Sequence, residues 1–328
     1  MALAPTEMTE VATTEVVDVE GRSPAQIAFE RLRHDKVAVI SAAVVLFFVL
    51  IAIFAPLIAD LFGVGYRTES GTETLDVTTN YGKVGPPVHG FTWEHPLGIA
   101  PNSGYDLLGE WLYGARTSIG VAVVATIIST VVGVVMGLIA GFATGWLDKA
   151  ISFVIDTFLA FPFVLGALAL TPIITSRWAD DEETLKVATF FSVVFVLSAF
   201  GWMLLARLVR GEVLSLRERE FVQAARVIGV PQRKILFREV LPNLTAPIIV
   251  AVSLGLPAYV SAEAGLAYLG IGMSGVASWG QTIDKATAYF QDFPLYLWAP
   301  VLGVLLLVLS LNLLGDAIRD AFDPKTRR

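Results

Sequence analysis

Six uncharged or nearly uncharged apolar runs dominate the pattern along the chain. Crossing a hydrocarbon core of about 30 Å takes roughly 20 helical residues at 1.5 Å each. Because each run reaches that length, the pattern predicts an all-α membrane protein with six transmembrane helices. The predicted helices cover Val37–Ala59, Thr117–Thr144, Ala150–Ile174, Val187–Ala206, Leu241–Ala262 and Tyr296–Gly315.

The Lys and Arg residues are distributed unequally between the two sides that six spans define. Seventeen fall on the side that holds both termini and the second and fourth loops, and six fall on the other side. Cytoplasmic segments carry the excess of such residues, so both termini are predicted to be cytoplasmic. The first run begins too far from the start and is too long for a cleaved signal peptide, so it is predicted to remain as a helix.

Composition agrees with a membrane protein and excludes several other classes. Residues of the AVILMFWYC set make up 55% of the chain and charged residues 16%, whereas about 25% charged residues is usual in soluble domains. The net charge of −7 argues against a generally basic nucleic-acid binder. There is no cysteine, which excludes disulfides and thiolate metal sites.

The remaining segments divide into tails and loops. Residues 1–21 predict a disordered acidic tail. Residues 22–36 have Ser23 as N-cap and Pro24 after it. They predict either a short interfacial helix or a simple basic flank before the helix at 37–59. The extracytoplasmic loop at 60–116 is long, and its last part, 104–116, predicts a helix at the outer interface or a buried loop helix. Residues 117–315 then form the predicted core, and 316–328 a cytoplasmic tail.

The fourth loop, residues 207–240, is the most informative segment outside the membrane. It carries eight bases and predicts a helix over Glu212–Ile228, a sharp turn at Gly229 and a second helix from Pro231. Positive-inside topology needs only a few bases in a short loop. A structured insert of this size favours a docking surface for another protein.

The sequence contains none of the catalytic or metal-binding motifs that would indicate an enzyme. There is no phosphate-binding P-loop, so the chain is predicted not to be an ATPase itself. Three histidines, His34, His89 and His95, lack metal-ligand spacing. No catalytic and no metal-binding residue is therefore predicted.

Small and ionisable residues inside the predicted spans have competing interpretations. Glycines at 133, 137, 141 and 145 would allow close approach of another helix. Asp156, about two turns in from Lys149, is either hydrated or paired near the cytoplasmic interface, or it couples transport to an ion. Glu263, just past the fifth run, either contacts a substrate path or makes a structural hydrogen bond.

The segment from 221 to 243, FVQAARVIGVPQRKILFREVLPN, resembles the EAA loop of ABC importer membrane subunits. The spacing of that motif matches throughout, with Gln in place of the leading Glu and Glu239 at a position that is usually apolar or His. By this resemblance the residues that couple to an ATPase are Gln223, Ala224, Ala225, Arg226, Gly229, Val230, Pro231, Leu241 and Pro242.

Further landmarks narrow the resemblance to the C-type permease subunits of the dipeptide, oligopeptide and nickel importers. They are HPLG at 95–98, YGARTS at 113–118, FLAFPF at 158–163, EAGLAYLGIG at 263–272, SWG at 278–280 and NLLGDAIRDAFDPK at 312–325. Where that family usually has Gly-Arg-Asp, this chain has Gly104, Tyr105 and Asp106.

The resemblance implies a type I ABC importer permease in the bacterial inner membrane, forming half of a pathway. Its implied partners are a second homologous permease subunit, two ATP-binding subunits that hold ATP and Mg²⁺, an extracytoplasmic substrate-binding protein and membrane lipid, but no nucleic acid. Peptides are the leading substrates it implies, with nickel chelates and glutathione-like compounds as alternatives. An ion-gradient-driven secondary transporter and a membrane scaffold remain as rivals; the first would require embedded charges and repeated halves.

Overall fold

The computed structural model describes residues 24–64, 75–76, 78–79, 81–86, 89–271 and 275–323, and within them the chain is helical, with β-structure limited to two isolated bridges. The predicted acidic tail, the N-cap Ser23 and the last five residues lie outside the described part. The helices are α1 Pro24–His34, α2 Lys36–Phe62, α3 Leu107–Phe142, α4 Trp146–Ala160, α5 Phe163–Thr175, α6 Glu182–Gly201, α7 Met203–Leu216, α8 Glu220–Val227, α9 Gln232–Ile235, α10 Leu241–Asn243, α11 Thr245–Tyr268, α12 Trp279–Thr287 and α13 Pro294–Phe322.

Five stretches of the described chain are long and apolar enough to cross a membrane, or six if the bent pair α4–α5 is one span. The pair bends by 91° at Phe161 and Pro162, because a residue before proline avoids helical angles and Phe161 is extended, at φ −81° and ψ 131°. The span predicted over Ala150–Ile174 is therefore a pair of helices with a sharp bend at Pro162. Pro162 begins a new helix rather than continuing the old one.

The second predicted span begins ten residues earlier than expected. The side chain of Asp106 caps α3 by accepting hydrogen bonds from the backbone N–H groups of Leu108 and Gly109. Leu112 is buried in a core cluster formed mainly with α2, α11 and α13. Residues 107–116 are thus the first turns of α3, and the separate interfacial helix predicted at 104–116 is wrong. With α2 extending to Phe62, the loop predicted over 60–116 is shortened at both ends.

The glycine pattern marks a close crossing between α3 and α7. A Cβ added at Gly137 would lie 2.7 Å from the Val209 Cβ, and one at Gly141 would lie 2.6 Å from the Val213 Cβ. Only glycine leaves room for α7 to lie directly against α3. Gly133 takes part in the same crossing, whereas Gly145 lies outside it, before α4, at a positive φ of 75°.

The ends of the later helices also differ from the hydrophobic runs. The fourth run, predicted to end at Ala206, continues through α7 to Leu216, because Val209 and Val213 are buried against α3. The fifth, predicted as Leu241–Ala262, is α11 at Thr245–Tyr268.

The last helix, α13, extends to Phe322, past the predicted end at Gly315, and Arg31 of α1 donates to the carbonyl oxygens of Ala321 and Asp323. Those bonds satisfy carbonyl groups that a helix C-terminus leaves without partners. The predicted tail at 316–328 is therefore helical for its first part.

Candidate functional site

The motif residues Gln223, Ala224, Ala225 and Arg226 lie together on the short helix α8. The helix predicted over Glu212–Ile228 is wrong as one element, because the chain turns at 217–219 between α7 and α8. That turn allows α8 to fold back on the bundle. Val222, on its inner face, is completely buried in a cluster with Val213 and Ile235.

A Schellman turn ends α8. The N–H of Val230 donates to the carbonyl of Ala225 and the N–H of Gly229 donates to that of Arg226, at 3.0 Å each. Gly229 has φ +80°, a left-handed backbone angle that glycine adopts without strain. The side chains of Ala225 and Val230 pack on the same apolar cluster, as this motif usually requires.

After the turn, Pro231 precedes the short helix α9, and a wider π-helical turn follows before the next span. Pro231 caps α9, and residues Leu236–Val240 form a π-helical turn in which the N–H of Leu241 donates to the Leu236 carbonyl. Pro242, the following residue, has no N–H to donate and its ring would crowd the carbonyl four residues earlier. The wider turn accommodates this proline, and α10 and α11 then follow.

The outer surface of this loop is apolar at its tip and basic around it. Val227 is 86% exposed, Ile228 78% and Phe237 61%. The bases Arg233, Lys234 and Arg238 are exposed on the second half of the loop. Large apolar side chains so exposed beside charged ones are typical of a protein interaction site. We call Val227, Ile228 and Phe237 the loop tip.

Two contacts attach the loop to the Phe142 end of α3. The guanidinium of Arg226 lies 5.8 Å from the centre of the Phe142 ring, and Arg217 donates to the Gly141 carbonyl oxygen at 3.4 Å. Gln223, which replaces the usual leading Glu, donates to the carboxylate of Glu218 at 3.4 Å. A carboxylate is therefore present next to the position where the motif normally has one.

The two ionisable residues singled out in the spans occupy unrelated places. Asp156 on α4 accepts a hydrogen bond from Arg207 on α7 at 2.5 Å, and both side chains are more than half exposed. Glu263 lies inside α11, is 3% exposed and has the hydroxyls of Ser118 and Ser278 nearby, while its buried Oε2 atom has no hydrogen-bond partner among the described residues. Neither residue is near the loop tip in sequence, and they lie on different helices.

Three features of the structure were not predicted from the sequence. Arg210 forms a two-pronged ion pair with Asp148, at 2.8 and 3.1 Å, that fixes α4 to α7. His95 contacts the α3 capping residue Asp106 at 2.6 Å; an Asp directly before an apolar run was the available signal for that cap. The third is a cavity between α3, α7 and α11. In the described part of the chain no three His, Asp or Glu side chains converge as metal ligands.

The family described as "Binding-protein-dependent transport system inner membrane component" matches residues 133–328, and the N-terminal TM domain of oligopeptide transport permease C matches residues 23–68.

The dipeptide transport system permease protein DppC of Alkalihalophilus pseudofirmus is 33% identical over 308 residues, covering 93% of this chain and 91% of that protein. The oligopeptide permease OppC of Mycobacterium bovis is 37% identical over 225 residues, covering 68% of this chain and 74% of that protein. The glutathione permease GsiD of Shigella dysenteriae is 32% identical over 307 residues, or 93% and 92% of the two chains.

Among solved structures, one of the MetNI methionine ABC transporter matches with a TM-score of 0.52 at 16% identity, covering 65% of this chain and 96% of that one. This likeness concerns the fold, which is therefore that of an ABC importer permease. None of these matches supports an ion-gradient-driven transporter.

Proposed function

This chain belongs to the family of binding-protein-dependent transport system inner membrane components, and from that premise we propose how it works within its importer. It is a membrane-spanning permease subunit of an ABC importer and a multi-pass protein of the bacterial inner membrane. We propose that its substrates are peptides, as the names of its dipeptide and oligopeptide relatives state for those proteins, with glutathione-like compounds and nickel chelates as alternatives.

The partners follow from the same proposal. A second homologous permease subunit completes the pathway, two ATP-binding subunits bind and hydrolyse ATP with Mg²⁺, and an extracytoplasmic protein delivers the substrate. Hydrolysis takes place on those partners, and this chain contributes no catalytic residue. ATP binding and hydrolysis bias two packings of the helix bundle, which gives alternating access.

In the proposed topology the fold is a type I importer permease with six spans, and α4 and α5 together form the third. The excess of Lys and Arg in the 207–240 segment and beside both termini supports a cytoplasmic location for all three. The loop between α2 and α3 then lies outside, where it meets the binding protein. Helix α1, held to the end of α13 by Arg31, lies at the cytoplasmic interface.

The loop tip is the proposed docking surface for an ATP-binding subunit, and its exposure is the observation that carries this assignment. Val227 and Ile228 extend away from a base that is anchored by buried Val222 and closed by the Gly229 turn. A rigid base can transmit a push to the spans, whereas a flexible loop would absorb it. Most of the coupling residues are exposed beside the tip and belong to the proposed contact: Gln223, Ala224, Arg226, Gly229, Pro231 and Pro242. Ala225, Val230 and Leu241 pack on the buried cluster and support that surface.

The experiment is copurification of the ATP-binding subunit with the permease in mild detergent. Val227→Asp together with Ile228→Asp should abolish copurification, because two charges would be buried without partners in the interface. Phe29→Asp is the matched control, since Phe29 is 70% exposed on α1, away from the loop. Copurification unchanged by the double substitution would refute the docking surface, and wild type without any bound ATPase would refute the importer assignment.

A further inference from the structure

A groove of about 760 Å³ lies between α2, α3 and α6, apart from the coupling loop. This volume is within the range of pockets that hold small molecules. Helices α2 and α6 each pack against α3, and the groove is the space left between them. Two of its lining residues, Ile53 and Val123, are 61% and 39% exposed, so the groove is open to the surroundings of the chain.

Helix α3 contributes one face to the groove, and that face changes from polar to apolar along the helix. Tyr113, Arg116 and Thr117 come first, and Gly120 and Val123 follow at helical spacing. Val123 lies roughly 10 Å farther along the axis than Arg116, at 1.5 Å per residue. In the proposed topology α3 enters from outside, which places the polar part towards the outer headgroups and the apolar part in the hydrocarbon.

The walls from the other two helices are apolar. Helix α2 contributes Val49, Ala52 and Ile53, and α6 contributes Phe190. Gly120 leaves the space between these walls unfilled, since a Cβ at that position would meet no atom within 4 Å. In a bilayer a hydrocarbon chain fills such a space, because an empty one would deprive the wall atoms of contacts.

Arg116 is the only charged residue among the described residues of the lining. Its side chain is exposed and forms no hydrogen bond or ion pair within the described part of the chain. Lys186, one turn before Phe190 on α6, brings a second base to this end, because its Cε would lie 2.8 Å from a Cβ added at Gly275, next to the lining residue Val276. A guanidinium at the membrane boundary needs an anionic partner, and a phosphate matches its geometry with two hydrogen bonds.

The lining also distinguishes between lipid headgroups. None of its described residues is Asp or Glu, so the ammonium group of phosphatidylethanolamine would find no carboxylate there. Phosphatidylglycerol presents a phosphate without an accompanying cation. Thr117, next to Arg116, has a hydroxyl that can donate a further hydrogen bond to that phosphate. These groups favour an anionic phospholipid over a zwitterionic one.

We propose that this groove is a binding site for one anionic phospholipid of the outer leaflet. Arg116 and Thr117 hold its phosphate, and one acyl chain lies against Gly120 between α2 and α6. The choice of leaflet rests on the proposed topology, whereas the site itself is independent of the substrate and of the docking surface. The bound lipid fills the space between α2 and α6 and joins the two helices.

The test is photocrosslinking in the complete importer, reconstituted in vesicles of phosphatidylethanolamine. A phosphatidylglycerol with a photoreactive diazirine in its acyl chain should label the segments of α2, α3 and α6 that line the groove. Arg116→Gln should reduce this labelling severalfold, because the charge-assisted hydrogen bonds to the phosphate are lost. Arg177→Gln is the matched control, since Arg177 is also an exposed base but does not line the groove.

A second variant tests the acyl-chain part of the site without altering its charge. Gly120→Leu puts a side chain into the open space and should also reduce the labelling severalfold. Gly211→Leu is its control, because Gly211 is another helical glycine with no atom near its Cβ, on α7 outside the groove. Copurification of the ATP-binding subunit at the wild-type level shows that each variant is assembled.

The headgroup comparison is made on the wild-type importer and so does not depend on any variant folding. Phosphatidylethanolamine with the same photoreactive chain should label the groove severalfold less than phosphatidylglycerol. Equal labelling by the two lipids, or full labelling of an assembled Arg116→Gln importer, would overturn the proposal. A groove labelled by neither lipid would also overturn it and would show that another subunit covers this surface.

Discussion

Replacement of Gly229 tests whether the shape of the coupling loop, rather than its composition, is needed for docking. Gly229 has φ +80°, and a Cβ at this position would meet no atom within 4 Å. A loss of docking in the Gly229→Ala variant therefore cannot come from a steric clash of the new side chain with the rest of the chain. The effect of a substitution comes from the backbone angle alone, which makes the free energy change calculable.

The expected magnitude depends on how readily each residue adopts the left-handed angle. An alanine in this conformation costs about 1–2 kcal/mol, and asparagine costs less because it visits the left-handed region routinely. A change of 1–2 kcal/mol alters a conformational ratio by roughly 5–30-fold. Proline cannot adopt this angle, and it also removes the N–H that donates to the Arg226 carbonyl, so Gly229→Pro should abolish the turn.

The assay is the affinity of the ATP-binding subunit for the purified permease variants in detergent. If the ATPase binds only the formed turn, affinity should fall in the order Gly, Asn, Ala, Pro, with Ala weaker than wild type by up to roughly 30-fold. Gly211→Ala is the control, because Gly211 lies within α7 and also has open space around it. Affinity equal to wild type for Gly229→Ala, or Asn as damaging as Pro, would refute the reasoning.

Three further substitutions test the packing that supports the loop and the spans. Gly141→Leu should destabilise the permease by about 1–3 kcal/mol in thermal unfolding, because its Cβ would lie 2.6 Å from that of Val213; wild-type stability would contradict the close crossing. A double-mutant cycle of Asp148→Ala and Arg210→Ala should give a coupling of about 0.5–1 kcal/mol, since the pair is partly exposed, and zero coupling would mean that α4 is held by other contacts. If the Glu263 carboxyl acts by hydrogen bonding to the neighbouring serines, Glu263→Gln should preserve stability and transport. Glu263→Ala should then lower the free energy of unfolding by about 1–3 kcal/mol. Loss of transport in the Gln variant at unchanged stability would instead indicate an ionic role.

The type of each segment, whether helix, turn or loop, could be predicted wherever a local residue pattern decides it. The apolar runs, the Gly229 turn and the Pro231 restart follow from residue preferences that need no tertiary information. The structure confirms the positive angle at Gly229 and the helices at the hydrophobic runs. Family membership was also available from the motif spacing between Gln223 and Pro242, and the comparisons confirm it.

Segment boundaries were not predictable in the same way, because contacts with distant residues decide them. The run that hydropathy begins at Thr117 starts at Leu107, since Asp106 caps the helix and Leu112 is buried among other helices. The helix predicted across residues 217–219 breaks there because Val222 gains a buried position by folding back. The burial of Leu112 and Val222 cannot be predicted from one segment of sequence, because the residues that cover them lie elsewhere in the chain.

The sequence by itself determined that this protein is a helical membrane permease with a structured loop between its fourth and fifth apolar runs, because hydrophobic length, turn chemistry and motif spacing are local properties. Only the tertiary structure decided which surfaces remain open. The apolar tip at Val227 and Ile228 and the groove beside Gly120 exist because other helices leave those residues uncovered. Exposure depends on what packs against a residue, and in a membrane chain both buried and exposed positions are apolar, so composition cannot distinguish them.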